Sequence, residues 1–453
     1  MSSYYSEPKK QFFVYPLKYI NALFQKWQLE ILPIIGLYIC AISTFISTSF
    51  FNIGFFIIIC GLLINYRFFF RYIRFTIPLI CIFCIIFIII RTYLASFHNP
   101  SISNLMWERS FDWIRLFIFF FFALPIIKDP KRGYIVFFLA LLSLIFGNLY
   151  FFYENGLIEY LRGARFGGYV GKPIANSFYS SVALTGMIVY FPELIKKNRS
   201  KPIYLSLLSL ASFFCLAILI SSIVLSSSRG PLVGLIIVLP PLIIYQAYKN
   251  INVIFRHLFF YIFFVLTIIG VLSIHFSSFS FPLKNRIYKT FHEVKDVYKH
   301  GTYNSSRNNV SIRIQMWQFG FQKWTEQPFI GFGPGTTEKL ITQTKIQKLK
   351  HTSGKPYDHL HNYYIMNIVS FGIVGLILFS SVFFIIFINA IKLFNKNTEN
   401  RNDNLFIICS FVLIILYSLT DFRHLNHDWR FFWIIISGVG YSFIFSQKKK
   451  MLL

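Results

Sequence analysis

The sequence predicts an all-α integral membrane protein of about twelve transmembrane helices, with a large, partly helical loop on the outer side between helices nine and ten. Three observations predict it. Of 453 residues, 55% are hydrophobic and only 13% are charged, about half the charged share of a soluble domain. The apolar residues gather in runs close to the ~20 residues a helix needs to cross a bilayer core, and the mean hydropathy is +0.58. One stretch, 277–358, breaks the series with turn-forming and amphipathic sequence. Disordered, collagenous, disulfide-scaffold and ordinary cytosolic-enzyme classes are excluded by this composition. Backbone groups in hydrocarbon must bond within their own segment, so runs this long read as helices, and the alternation of a β-barrel is absent.

Residues 1–30 are polar and basic, without the pattern of a cleavable signal, and read as a cytoplasmic N-terminal segment. Helices one to nine occupy 31–276, with spans at 31–50, 51–66, 75–91, 112–127, 134–153, 174–195, 203–226, 231–248 and 258–276. The loop 277–358 follows. Helices ten to twelve, at 363–392, 404–420 and 431–447, lie within 359–447 together with an interfacial histidine segment, and 448–453 forms a second cytoplasmic tail. Orientation follows from the basic residues of the short loops. RFFFRYIR at 67–74, KDPKR at 128–132, KKNRSK at 196–201 and the terminal QKKK all fall on the side that holds both ends. The six cysteines lie inside apolar runs and read as packing residues, including the C-x-x-C of Cys81 and Cys84, which has no polar partner to activate a thiol.

Lys and Arg number 44 against 17 Asp and Glu, a formal net charge of +27. An excess of that size calls for anionic lipid head groups or phosphorylated substrates, and nothing points to nucleic acid. The informative charges stand on the outer side, against the orientation rule. Arg229 in LSSSRGPLVG occupies a tight turn between two apolar runs, where serine hydroxyls, backbone N–H groups and one cation compose an anion niche. Arg313 in SIRIQMWQFGFQKWTEQPFIGFGPG sits one helical turn before Trp317. Its helix stops before Pro328, and the glycine-rich turn beyond lets backbone approach a ligand closely. An arginine can fork onto a phosphate.

His359 and His361 in YDHLHNYYIMNIVSFGIVG stand directly before a long span, with Asn362 beside them. At i, i+2 the imidazoles diverge on a helix and share a face only on a strand. No Glu or Cys stands at ligand spacing and H-E-x-x-H is missing, so no metal is expected. A single neutral His acting as base is the economical reading. RGARFGGYVGKPIANS places Arg162, Arg165 and Lys172 in a glycine-rich loop opening a span, and SLTDFRHLNHDWRFF gathers Asp421, Arg423, His424, His427, Asp428 and Arg430 in one turn.

These motifs resemble the bacterial O-antigen ligases, within the superfamily that also holds O-antigen polymerases and protein O-oligosaccharyltransferases. SSSRGPLVG, SIRIQMWQFGFQKW with PFIGFGPG, and HLHNYYIMNIVSFGIVG stand in the family's order, and the likeness covers roughly 160–430. It implies a multi-pass inner-membrane glycosyltransferase with cytoplasmic termini, a periplasmic loop and a periplasmic active site. The donor it implies is a glycan on undecaprenyl pyrophosphate and the acceptor a sugar hydroxyl of lipid A-core. It implies that Arg229 and Arg313 serve the pyrophosphate and that His361 serves catalysis. Arg165, Lys172, Trp317, His359 and Asp421 are carried as substrate-binding residues, Asp421 by its location before the last span and Arg165 as a donor-loop residue. No cofactor or metal is implied, and the expected chemistry is a single displacement with inversion in lipopolysaccharide biosynthesis. The spacing of HLHN and the outer loop favour ligase over polymerase, and the lack of a domain after the last span argues against the protein-glycosylating relatives. A transporter or flippase would carry mid-membrane ionisable groups and half-repeats, neither of which is visible.

Overall fold

The computed structural model describes residues 31–155, 164–198, 200–249, 282–304, 308–344, 346, 349, 357–396 and 400–452. The N-terminal segment 1–30, the ninth expected span at 258–276 and Arg162 lie outside the described residues. Helices run α1 (Ile31–Ser43), α2 (Thr48–Ile64), α3 (Tyr66–Ile73), α4 (Thr76–His98), α5 (Ser103–Ile114), α6 (Phe119–Ile127), α7 (Lys131–Asn155), α8 (Pro173–Lys197), α9 (Pro202–Ser226) and α10 (Arg229–Lys249). Then follow α11 (Pro282–Asn304), α12 (Asn309–Glu326), α13 (Thr337–Thr342), α14 (Tyr363–Asn395), α15 (Arg401–Thr420) and α16 (His427–Leu452). No strand occurs among the described residues.

Nine helical stretches among the described residues are long and apolar enough to cross a membrane, and they coincide with the third to eighth and tenth to twelfth expected spans. The protein is an all-α integral membrane protein. The first expected span is described as the shorter helix Ile31–Ser43, and the boundary between the first two spans falls at 44–47 rather than at 50–51. There Ser43 and Thr44 bond back to carbonyls of the preceding turn, and the Ser47 side chain caps α2 through Phe50 N. The expected fourth span at 112–127 is instead a longer stretch, Pro100–Ile127, broken between α5 and α6.

Helix α16 packs along α6, α14 along α15, and α8 against α9, α10 and α15. Chain direction alternates, so the starts of α8, α10, α14 and α16 and the ends of α9 and α15 meet at one end of the bundle. At the other end a polar knot ties four helices. Asp403 on α15 accepts hydrogen bonds from Tyr134 on α7 (2.8 Å) and Tyr190 on α8 (3.1 Å), and Asn402 bonds Glu193 on α8 (2.5 Å) and Lys249 on α10 (2.8 Å). Buried carboxylates are tolerated when bonded in this way. Cys81 and Cys84 are buried within the core.

Between α10 and α14, the helices α11 to α13 fold over the first end. Gly320 on α12 lets the helix press against Leu360 and Ile365, where a Cβ would stand 2.4 Å from Ile365 Cγ2. The glycine-rich turn after α12 was expected to approach a ligand, but it packs on protein instead. Phe332 N donates to Val369 O (2.8 Å) and Gly333 N to Ser370 O (2.8 Å), while Ile373 N donates to Pro328 O (2.8 Å) and Val374 N to Phe329 O (3.1 Å). Those exchanges require α14 to break its own ladder, which it does at Gly372, with φ of 64° and Phe329 O only 2.2 Å from where a Cβ would sit. Arg91 on α4 donates to the carbonyls of Ile330 (2.8 Å) and Gly331, holding the turn from its other side.

Candidate functional site

Two turns at the first end of the bundle are held in an unusual backbone state. Among the described residues Ser227 (φ 49°) and His361 (φ 50°) are the non-glycine residues with left-handed φ. Side chains other than glycine pay a steric cost there, and such positions gather at functional sites. Ser227 belongs to the turn that presents Arg229, and His361 is one of the expected catalytic residues.

His361 is positioned from both sides. Asn362 caps α14 by accepting from Ile365 N (3.1 Å), and its amide nitrogen donates to Leu419 O (3.0 Å) at the end of α15. One side chain therefore starts one helix and fixes it to the end of the next, and His361 comes to stand beside Asp421. The His361 Nδ1 to Asp421 Oδ1 distance is 3.4 Å. Asp421 also accepts from Tyr417 Oη (3.0 Å) and Phe422 N (2.9 Å), so its position does not depend on the histidine.

Burial pushes the His361 imidazole below its ordinary pKa, with the Asp421 hydrogen bond opposing and the charge of Arg313 reinforcing the fall. Burial by itself would raise the Asp421 carboxyl, but the hydrogen bond from His361 and the charges of His361, His359 and Arg313 hold it well below the usual carboxylate range. The pair near neutral pH is a neutral imidazole against a carboxylate. With Nδ1–H directed to Asp421, Nε2 carries the free lone pair.

Arg313 on α12 thus lies within electrostatic reach of both members of the pair. Its helix starts with Asn308 accepting from Ser311 N (2.7 Å). One turn on, Trp317 is half-buried, and its indole N–H is buried without an acceptor among the described residues. Arg229 begins α10, and the next residue, Gly230, packs so tightly on α15 that a Cβ would stand 2.7 Å from Thr420 Oγ1, adjacent to Asp421. Arg229 is not a lone cation: Nη1 lies 3.6 Å from Oε2 of Glu293 on α11, a residue only 5% exposed. Arg165 is stitched to the same turn, donating from Nε to Ser226 O (3.2 Å) and from Nη2 to Ser228 Oγ (3.1 Å), while Phe166 N donates to Leu225 O (3.1 Å). Lys172 stands exposed at the start of α8.

Residues 214–380 match the family described as O-antigen ligase. Over that segment, just over a third of its length, the chain is similar to the O-antigen ligase family. It is also 24% identical over 241 residues to an uncharacterised protein of Haemophilus influenzae, a match covering 52% of this chain and about half, 55%, of that relative. Arg229, Arg313 and His361 all fall inside the segment matched to the O-antigen ligase family, whereas Arg165, Lys172 and Asp421 lie outside it.

The histidine segment differs from the reading in which the two imidazoles diverge and no carboxylate is at hand. The rings of His359 and His361 lie 4.3 Å apart between centroids, and Asp421, sixty positions away in the chain, completes a group whose candidate ligand atoms are all within 4.8 Å of one another. These three groups have the composition of a divalent-metal site. His359 also meets Asp358 at 2.5 Å, a bond that pulls the Asp358 carboxyl down to about 2.

The turn 418–432 divides into separate jobs. Asp421 faces His361. Arg423 pairs with Asp428 (2.7 Å), which accepts from Tyr179 (2.8 Å). His424 is fully enclosed, stacked on Tyr363 at 4.0 Å, and burial takes it down to about 3. Arg430 reaches Asp112 near the end of α5. Glu293, Tyr417 and Asn362 were not singled out from the sequence as functional. Only Asn362 carried a local signal, as a helix-capping amide before an apolar run.

Proposed function

We propose that the protein is an O-antigen ligase that transfers a polysaccharide from undecaprenyl pyrophosphate to a sugar hydroxyl of lipid A-core on the periplasmic face of the inner membrane. The observation that carries this reading is the His361–Asp421 pair standing within the field of Arg313, with His361 and Arg313 inside the segment similar to the O-antigen ligase family. The acceptor hydroxyl gives its proton to Nε2 of His361 as its oxygen attacks the anomeric carbon. The bond from that carbon to the pyrophosphate oxygen breaks, and the polyprenyl pyrophosphate leaves with the bonding pair. Asp421 stabilises the imidazolium as it forms. A positioned base contributes about 10²- to 10⁴-fold. The negative charge growing on the leaving group is met by Arg313 and, once Glu293 yields it, by Arg229, with Arg165, Lys172 and the Trp317 N–H as further donors. Attack opposite the departing group inverts the anomeric centre.

Polymerisation of lipid-linked repeats uses the same donor and the same machinery and is the second reading. Reconstitution with lipid-linked glycan and lipid A-core separates them. Capped lipid A-core is the expected product, and elongated lipid-linked glycan formed without lipid A-core refutes the ligase. The clustering of His359, His361 and Asp421 defines the alternative to be tested on either reading, in which a divalent ion sits at the pair. The metal-free route predicts full activity after chelation.

A further inference from the structure

We propose that the chain carries a second anion site, for a phospholipid of the surrounding membrane with an anionic head group, distinct from the His361–Asp421 centre. A cavity of about 300 Å³ opens where the first turns of α2 and α16 meet the α5–α6 break, and its lining includes Arg115, His427 and Arg430 above Phe51, Phe55 and Ile434. Arg430 is only 8% exposed, and its Nε is buried without a partner among the described residues. Its other contact is Asp112, which must also serve Arg115 (3.3 Å) and Arg109 (3.8 Å). One carboxylate cannot neutralise three guanidinium groups, and the imidazole of His427 lies on the same rim. The cavity therefore has a surplus of positive charge on its lining, and Arg430 beside it keeps a buried donor that no described residue satisfies.

Below the charges the lining is apolar. Phe51 stacks on Phe431 with centroids 3.8 Å apart, and Phe51 and Phe55 are almost wholly buried. A free phosphate would use the rim and leave these walls unmatched, whereas a phosphodiester on an acyl chain satisfies both. Access is lateral: the adjoining face of α2 carries Phe50, Ile53 and Phe56, 62%, 51% and 66% exposed, an apolar face suited to acyl chains. The site lies at the same end of the bundle as Asp421, six residues before α16, at the level where span-end arginines meet head groups.

The test is native mass spectrometry of the full-length protein titrated with phosphatidylglycerol or phosphatidylcholine of matched chains. The expected result is preferential retention of phosphatidylglycerol, reduced about fivefold in Arg115→Gln. Arg430→Gln should lose more, and Arg115 is exposed enough for its variant to fold even if that one does not. Arg71→Gln, a cation on α3 away from the cavity, should leave the preference intact. Equal retention of the two lipids, an unchanged preference in Arg115→Gln, an equal loss in Arg71→Gln, or displacement of the lipid by millimolar inorganic phosphate would each overturn the proposal.

Discussion

Replacing Asp421 by Asn isolates the contribution of one charge, because the amide keeps the shape of the carboxylate. In the resting pair His361 is neutral and little is lost. In the transition state the imidazole gains a proton, and the wild-type protein then sets an imidazolium against a carboxylate 3.4 Å away. At an effective dielectric near 20 two unit charges about 4 Å apart attract by about 4 kcal/mol. The side chains of His361 and Asp421 are 24% and 13% exposed, so solvent screening removes part of this, and about 2–4 kcal/mol remains. At ~1.4 kcal/mol per decade the rate should fall about 30- to 1000-fold. The pH profile gives a second readout with a definite sign. Asp421 raises the pKa of His361 and Arg313 lowers it, so Asp421→Asn should move the acid limb of kcat/KM to lower pH and Arg313→Gln should move it to higher pH. The wild-type limb itself should lie below the ~6.5 of a free imidazole. The assay is initial-rate transfer from lipid-linked glycan to lipid A-core in proteoliposomes, with melting curves for each variant. An Asp421→Asn rate within threefold of wild type, with an unmoved limb, refutes the dyad.

His361→Gly should abolish transfer yet melt at or slightly above the wild-type temperature, since glycine accepts a φ of 50° without strain; a clear loss of stability in thermal melts would contradict this. Arg229→Lys keeps the charge but loses the fork, so transfer should drop at least about tenfold; unchanged initial rates would assign Arg229 to a structural pair with Glu293. Gly372→Ala forces a Cβ against Phe329 O at a positive φ, and should destabilise by about 1–3 kcal/mol; an unaltered melting temperature would count against the broken-helix account. EDTA should leave wild-type transfer intact, and a loss restored by one divalent ion would establish metal at His359, His361 and Asp421.

What the sequence made legible, and what it withheld, follows from the range of the interactions involved. Runs of apolar residues announce spans because each helix satisfies its own backbone, so nine described spans fall where hydropathy puts them. The break at 44–47 escaped because it depends on hydroxyls bonding their own preceding turn, a choice that leaves the run apolar throughout. The same division holds at the site. Arg229 and His361 stand out as ionisable groups at span ends, and Arg313 as a cation in the outer loop, a signal each residue carries alone. The partnership of His361 with Asp421 is set by Asn362 reaching Leu419, and that of Arg229 with Glu293 by how α11 lies over α10. Neither has any local signature. The glycine-rich turn misled for a related reason: glycine reports that something comes close, without saying whether it is ligand or backbone, and here it is Ser370 and Phe371. Asp421 gains the most from this difference. On sequence it is one acid among six polar residues in a turn, grouped with substrate-binding positions. With Tyr417 and Phe422 N fixing its carboxylate and His361 Nδ1 before it, it has the geometry of a group that acts through the histidine. Its removal should therefore lower kcat with little change in the KM for donor, whereas loss of a pyrophosphate-binding cation should raise that KM as well.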